Sequence, residues 1–341
     1  MKKLLSLIFS VLCLQAVAAV YAYASESLFF LEAQGIIGYS SLEDKIVYRS
    51  SENIYEPMQK NSVGFDYIRK ISSDNGEFGT FALQTRLAYN ADEDKPEYQI
   101  YNAFLKLKSS VADVWIGHNR TAFGLASYTD THSELLMPLT AYGYGYERDW
   151  GLGLQRDFQS SDIRFSLTTA TGMPIEYHGN YLAALRYSYG VLGRDNYNAG
   201  ISFLAGETQE TRGFEFASHE LHSTYLADID FTYLGIYGFE YRIELIGGIE
   251  EEEEVYAACA KIGLNWLNFD GPKIESQFVF SKKGDVTVFS TSLGASYLLT
   301  SSLKISLMYE HMEMSDDSMK NMGMSESKVD NRVVAQIYFY K

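Results

Sequence analysis

Beyond residue 24 the chain breaks into about sixteen segments of alternating polarity, separated by connections that are by turns long and short. In 81–89, Phe81, Leu83, Thr85, Leu87 and Tyr89 face one way and Ala82, Gln84, Arg86 and Ala88 the other. In 99–108, Tyr101, Ala103, Leu105 and Leu107 oppose Asn102, Lys106 and Lys108. In 237–245, Tyr237, Phe239, Tyr241, Ile243 and Leu245 oppose Glu240, Arg242 and Glu244. A period of two belongs to strands whose two faces meet different surroundings. A soluble half-wet sheet also alternates, but not in nearly every segment with so aromatic an apolar face. No run of eighteen apolar residues follows residue 24, so spanning helices are excluded. In hydrocarbon every backbone N–H and C=O needs a partner within the protein, which leaves a closed barrel. The expected fold is all-β: a transmembrane antiparallel β-barrel of about sixteen strands, with long external loops and short periplasmic turns.

The first 24 residues have a different character. Lys2 and Lys3 precede an apolar run from Leu4 to Val20, and Ala22-Tyr23-Ala24 supplies a small-x-small site. That order predicts a secretory signal peptide at 1–24, cleaved after Ala24, and an outer-membrane barrel at 25–341. Cys13 would leave with the leader, so Cys259 alone cannot form an internal disulfide. The 27 tyrosines and 20 phenylalanines suit aromatic girdles at two membrane interfaces. Localisation in the bacterial outer membrane follows as an expectation.

A barrel of this size is too wide for wall side chains to fill, and it encloses water. Passive diffusion of small hydrophilic solutes and ions is therefore expected, with something to narrow the path. The longest connection, 119–149, follows the fifth strand and is expected to fold inward as a constriction loop. Its Arg120 and Arg148, with Asp130, Glu134 and Asp149, would set opposed charges across the path. The remaining external connections, 207–222 among them, are expected to be loops.

Around this loop the chain resembles outer-membrane porins, and more narrowly the phosphate-selective porin O and P family. The residues concerned are Gly117, Phe123-Gly124, Arg148-Asp149-Trp150-Gly151 and Thr168-Thr169-Ala170-Thr171-Gly172. The resemblance spans roughly 110–206 and implies a sixteen-stranded channel, often a homotrimer, with the loop after strand five inside it. Ala122 departs from the family, which tends to place Pro before the Phe-Gly pair.

Charge qualifies the anion selectivity that the family would imply. Acidic residues outnumber basic ones by 44 to 28. The inward-facing wall is nearly balanced: Arg86, Lys106, Arg164 and Arg186 on the third to eighth strands, then Glu240, Arg242 and Glu244 with other carboxylates on later ones. Such halves facing each other would orient dipolar solutes without strongly preferring one sign of ion. Glu250, Glu251, Glu252, Glu253 and Glu254 read as a solvated tip, or else as a trap for divalent cations or a bridge to lipopolysaccharide. No catalytic constellation, cofactor motif or metal-ligand spacing is expected, although His219 and His222 share one connection. Lipid and lipopolysaccharide are the expected surroundings, and nothing points to nucleic acid. The alternative reading is a non-conducting adhesin, receptor or structural barrel.

Overall fold

A computed structural model describes residues 27–50, 59–74, 76–91, 94–212, 215–235, 237–265, 271–316 and 328–341. The leader at 1–24 and most of the connection expected at 314–328 lie outside them. The strands run β1 Ser27–Ser40, β2 Lys45–Val47, β3 Ser62–Ser73, β4 Gly76–Asn90, β5 Lys95–Leu107 and β6 Asp113–Arg120. They continue as β7 Arg148–Asp157, β8 Ser161–Thr168, β9 Tyr181–Tyr189, β10 Tyr197–Arg212, β11 Glu215–Leu234 and β12 Phe239–Glu250. The last five are β13 Glu253–Asn265, β14 Lys273–Lys283, β15 Val286–Thr300, β16 Leu303–Asp316 and β17 Lys328–Tyr340. β2 is a three-residue spur on β1. The other sixteen form a closed antiparallel barrel.

Closure comes from β1 pairing with β17, from Glu32 opposite Tyr340 to Ser40 opposite Arg332, while its other edge pairs with β3. Among the described residues, each of the sixteen strands is paired on both sides, so the ring has no open edge. The alternation dictates the two surfaces. Leu185, Phe203, Ala227 and Ile243 lie on the outer phase in neighbouring strands, and Leu185 and Phe203 are exposed there as registered partners. Ile201, Ile229 and Leu245 continue the same apolar band. Lumen-facing Arg86, Arg186, Ser202 and Glu244 are buried instead. Something inside the barrel covers them.

Three local expectations change. Tyr101 does not face lipid: Gln84 pairs with Asn102 but Thr85 with Ile100, so Tyr101 is the extra residue of a β-bulge. A bulge shifts the alternation by one, and Tyr101 turns into the lumen with 1% of its surface exposed. The connection 207–222 is largely strand, because β10 and β11 reach 16 and 20 residues. Spanning needs only about 9–11 residues, so this hairpin stands above the hydrocarbon layer. The five consecutive glutamates are not one loose tip. Glu250 ends β12, Glu253 and Glu254 open β13, and Glu251 and Glu252 form the turn with φ of 56° and 68°. Two successive positive φ angles are what a tight type I′ hairpin needs.

Candidate functional site: a segment across the lumen

Between β6 and β7, residues 121–147 leave the wall and cross the barrel interior. The neck is closed by backbone: the Thr121 N–H donates to the Glu147 carbonyl at 3.2 Å. Inside, the chain makes two short 3-10 turns, Leu125–Ser127 and Leu139–Tyr142. Gly143, which ends the second turn, and Gly145 adopt φ of 94° and 83°, a conformation that glycine takes without steric cost.

Apolar burial draws the segment to one wall. Ala122, Phe123, Leu139 and Tyr144 pack against Leu182, Leu204, Leu226 and Ile246 from β9 to β12. These wall residues occupy lumen-facing positions and would otherwise meet water. Leu135 and Leu136 reach the far side, against Ile36 on β1, Met308 on β16 and Val334 on β17. At roughly 25 cal/mol per Å2 of apolar surface removed from water, this packing draws the segment against the wall.

Hydrogen bonds fix its course. Glu244 on β12 accepts from the backbone N–H of Leu125 at 2.8 Å and of Leu139 at 3.1 Å, joining both 3-10 turns to one carboxylate. Ser202 on β10 accepts from Gly124 N, Ser166 on β8 accepts from Ala122 N, and Arg164 donates to the Ser127 carbonyl. Across the lumen, Arg86 on β4 donates to His132 O, Gln277 on β14 to Met137 O, and Lys304 on β16 to Ser133 O. The segment is tied to strands around most of the circumference.

Three compensated groups of charge stand along the segment. In the first, Asp130 lies 3.4 Å from Arg120 and 3.8 Å from Arg148, and the His132 ring stands 2.6 Å from the same carboxylate. Burial opposes the charge of Asp130, but the His132 hydrogen bond and the nearby His132, Arg120 and Arg148 outweigh it and hold this carboxyl well below the usual range. Arg148 also pairs with its neighbour Glu147, and Arg86 pairs with Glu32. In the second group, Arg186 grips Asp230 through Nε at 3.1 Å and Nη2 at 2.7 Å, with the Tyr128 ring 4.6 Å from its guanidinium carbon. Burial, then Asp230, pushes the Tyr128 hydroxyl above its ordinary value, so it stays protonated.

Glu134 belongs to the third group, with Lys261 at 3.3 Å and Lys304 at 3.9 Å. Lys261 also meets Glu275 at 2.9 Å, and Lys273 bridges Glu275 and Glu240 at 2.7 and 3.0 Å. Arg242 pairs with Glu240. Burial raises the Glu134 carboxyl, but Lys261, Lys304, Lys273 and Arg242 outweigh it and leave it well below the usual range. Charges of opposite sign therefore touch one another within each group.

Asp149 was expected among the constriction charges and is not one. Its carboxylate is fully buried and accepts from the backbone N–H of Trp150, Ala170 and Thr171 and from the Thr169 hydroxyl. It holds the turn after β8, where Ala170 and Gly172 take φ of 56° and 63°. Arg148-Asp149-Trp150-Gly151 and Thr168-Thr169-Ala170-Thr171-Gly172 are thus the two halves of one clamp. Gly124 has a related reason. At φ 58° it brings its backbone so near Glu244 that an added Cβ would collide with that carboxylate.

One space beside the segment lies against β5 to β8. A cavity of about 330 Å3 is lined there by Lys106, Trp115, Arg120, Tyr128, Gln155 and Arg164, among others. Lys106 is 3.1 Å from Asp113, and Arg164 is 3.0 Å from Asp162. Sequence reasoning placed Tyr101 on the wrong face and did not single out Glu147, Gln277 or the Leu182–Leu204–Leu226 floor. The one available signal was the apolar character of lumen-phase positions such as Leu204 and Leu226.

No protein-family model and no curated protein matches the chain. Solved structures do match in fold. OmpT of Vibrio cholerae in a trimer form is 10% identical with a TM-score of 0.62, covering 94% of this chain and 100% of that one. The outer membrane channel DcaP of Acinetobacter baumannii is 8% identical with a TM-score of 0.63, covering 93% and 98%. Salmonella typhi OmpF, solved with daunomycin, is 12% identical with a TM-score of 0.60, covering 92% and 97%. The fold is that of outer-membrane porins, without narrowing to the phosphate-selective family.

Proposed function

We propose that this chain is an outer-membrane porin, admitting small hydrophilic solutes and ions by passive diffusion along a path narrowed by residues 121–147. One observation carries the reading. The segment is tied to opposite walls by Arg86 on β4 and Glu244 on β12, while a cavity remains beside it on the β5 to β8 side. Lys106, Gln155 and Arg164 offer donors there, and Trp115 and Tyr128 offer flat faces. Because these cations sit beside anions, little field is left across the lumen and the path should discriminate weakly by sign. Phosphate, which the family resemblance would suggest, is the less favoured solute, since Arg86 and Arg186 are already occupied by Glu32 and Asp230. A homotrimer in lipopolysaccharide is part of the proposal, by likeness to the trimeric OmpT.

The test is single-channel conductance and reversal potential of the refolded protein in planar bilayers. Small stable steps with mild selectivity support the porin reading. Near-ideal selectivity, or block by low phosphate, would replace the weakly selective version. Ties around most of the circumference favour a second reading, a closed barrel serving as adhesin, receptor or envelope support. Folded protein that never conducts would establish that one.

A further inference from the structure

Outside the lumen, the long hairpin and the clamp held by Asp149 bring three ligating side chains together. Glu176 and His178 lie in the connection after β8, and His219 lies on β11 above the membrane layer. Their ligand atoms all fall within 4.8 Å of one another. His178 Nε2 is 3.3 Å from Glu176 Oε1, and His219 Nδ1 is 4.0 Å from Glu176 Oε2. Two ligands bound tetrahedrally at about 2.0–2.1 Å stand roughly 3.3 Å apart, so the Glu176–His178 pair already has the spacing and the two pairs that include His219 need a closure.

The ligands are held from beneath by two buried amides. Asn180 accepts from the His178 N–H at 2.6 Å and donates to the Glu176 carbonyl at 3.1 Å. Gln209, 1% exposed, donates to the His219 carbonyl at 3.2 Å and lies 3.5 Å from His178 Nδ1. One buried side chain thus touches both arms of the cluster. With the amide in this orientation, His178 Nδ1 is the acceptor and its Nε2 carries the proton. Metal binding at Nε2 moves the proton to Nδ1 and needs the amide turned to present Oε1, which has no partner as placed, at the cost of its hydrogen bond to the His219 carbonyl.

We propose that Glu176, His178 and His219 form a three-ligand site for a transition-metal dication, Zn2+ foremost, stapling the connection 169–180 to the β10–β11 hairpin. Two imidazoles and a carboxylate suit Zn2+, Ni2+ or Cu2+ rather than Ca2+ or Mg2+, which require oxygen-rich shells. A fourth position stays open to water. The site is distinct from the glutamates at the β12–β13 turn. There Lys283 lies 3.4 Å from Glu250 and 3.1 Å from Glu251, and His222 lies 3.1 Å from Glu251.

The test is calorimetric titration of Zn2+ alone into the refolded full chain, carrying no histidine tag, with H178A, H219A and H222A alongside. Heat-dependent gel mobility verifies that each variant is folded. We expect one Zn2+ per chain, excess Mg2+ without effect, binding lost in H178A and H219A, and H222A unchanged. Gln209→Ala should weaken binding by about ten-fold or more, as loss of a group that orients a ligand does. Substituting Co2+ should give the intense visible absorption of a four-coordinate site in the wild type and not in H219A. No saturable binding would overturn the proposal, as would binding that survives in H178A and H219A but disappears in H222A.

Discussion

The guanidinium carbon of Arg148 stands 4.1 Å from the ring centre of Tyr101, and that of Arg86 stands 5.1 Å from the same ring. One aromatic side chain, turned inward by a bulge in β5, lies between the cation that opens β7 and the cation that holds the crossing segment at His132.

Tyr101→Ala should loosen that contact. Cation–π pairs contribute about 2 kcal/mol each when desolvated. The variant should lower the temperature of the unfolded-band transition on gels and raise open-channel noise. Tyr101→Phe keeps the ring and should stay close to wild type. Equal damage from both would show that the hydroxyl, which lies 3.4 Å from Thr131 Oγ1, matters more than the ring.

Glu244 binds both 3-10 turns of the crossing segment. Leaving two buried N–H groups without an acceptor costs roughly 1–3 kcal/mol each. Glu244→Ala should therefore release the segment and increase single-channel conductance, while Glu244→Gln retains one acceptor and falls between. If E244A conducts as the wild type does, apolar packing alone positions the segment.

Asp149 should act on stability rather than selectivity. Asp149→Ala removes the acceptor for three backbone N–H groups and one hydroxyl, with an expected loss of about 2–4 kcal/mol. Its unfolding midpoint should fall while reversal potential stays put. A changed reversal potential in a folded variant would return Asp149 to the solute path.

Asp130 and Glu134 predict a threshold in acid. Both carboxyls are held below their ordinary range in the folded chain, against ordinary values of about 3.9 and 4.3. A depressed folded value means that the stabilisation is complete above the unfolded value and is lost as pH falls through the folded one. Conductance should be steady from about pH 5 to 8 and become unstable only below about pH 4. A transition near pH 6 would assign the control to groups other than these two carboxyls.

Much of the barrel was legible because it depends on local rules. Alternation with a period of two assigns Leu87, Leu185 and Ile243 to one face and Arg86, Arg186 and Glu244 to the other, whatever strand lies alongside. Tyr101 escaped because a bulge inserts one residue, and only the register against β4 reveals the slip. The hairpin of β10 and β11 escaped because polar strands above a membrane read like loops.

By itself, the sequence determined a closed barrel of about sixteen strands and the phase of its wall, since neighbouring residues and the need to pair every backbone group suffice for both. Only the tertiary structure decided which charges meet. Arg186 and Asp230, Glu134 and Lys261, and His178 and His219 are 44, 127 and 41 positions apart. Their pairing depends on strand register and on the course of residues 121–147 through the lumen. Both are set by packing and hydrogen bonds between segments far apart in the chain, which no local pattern encodes.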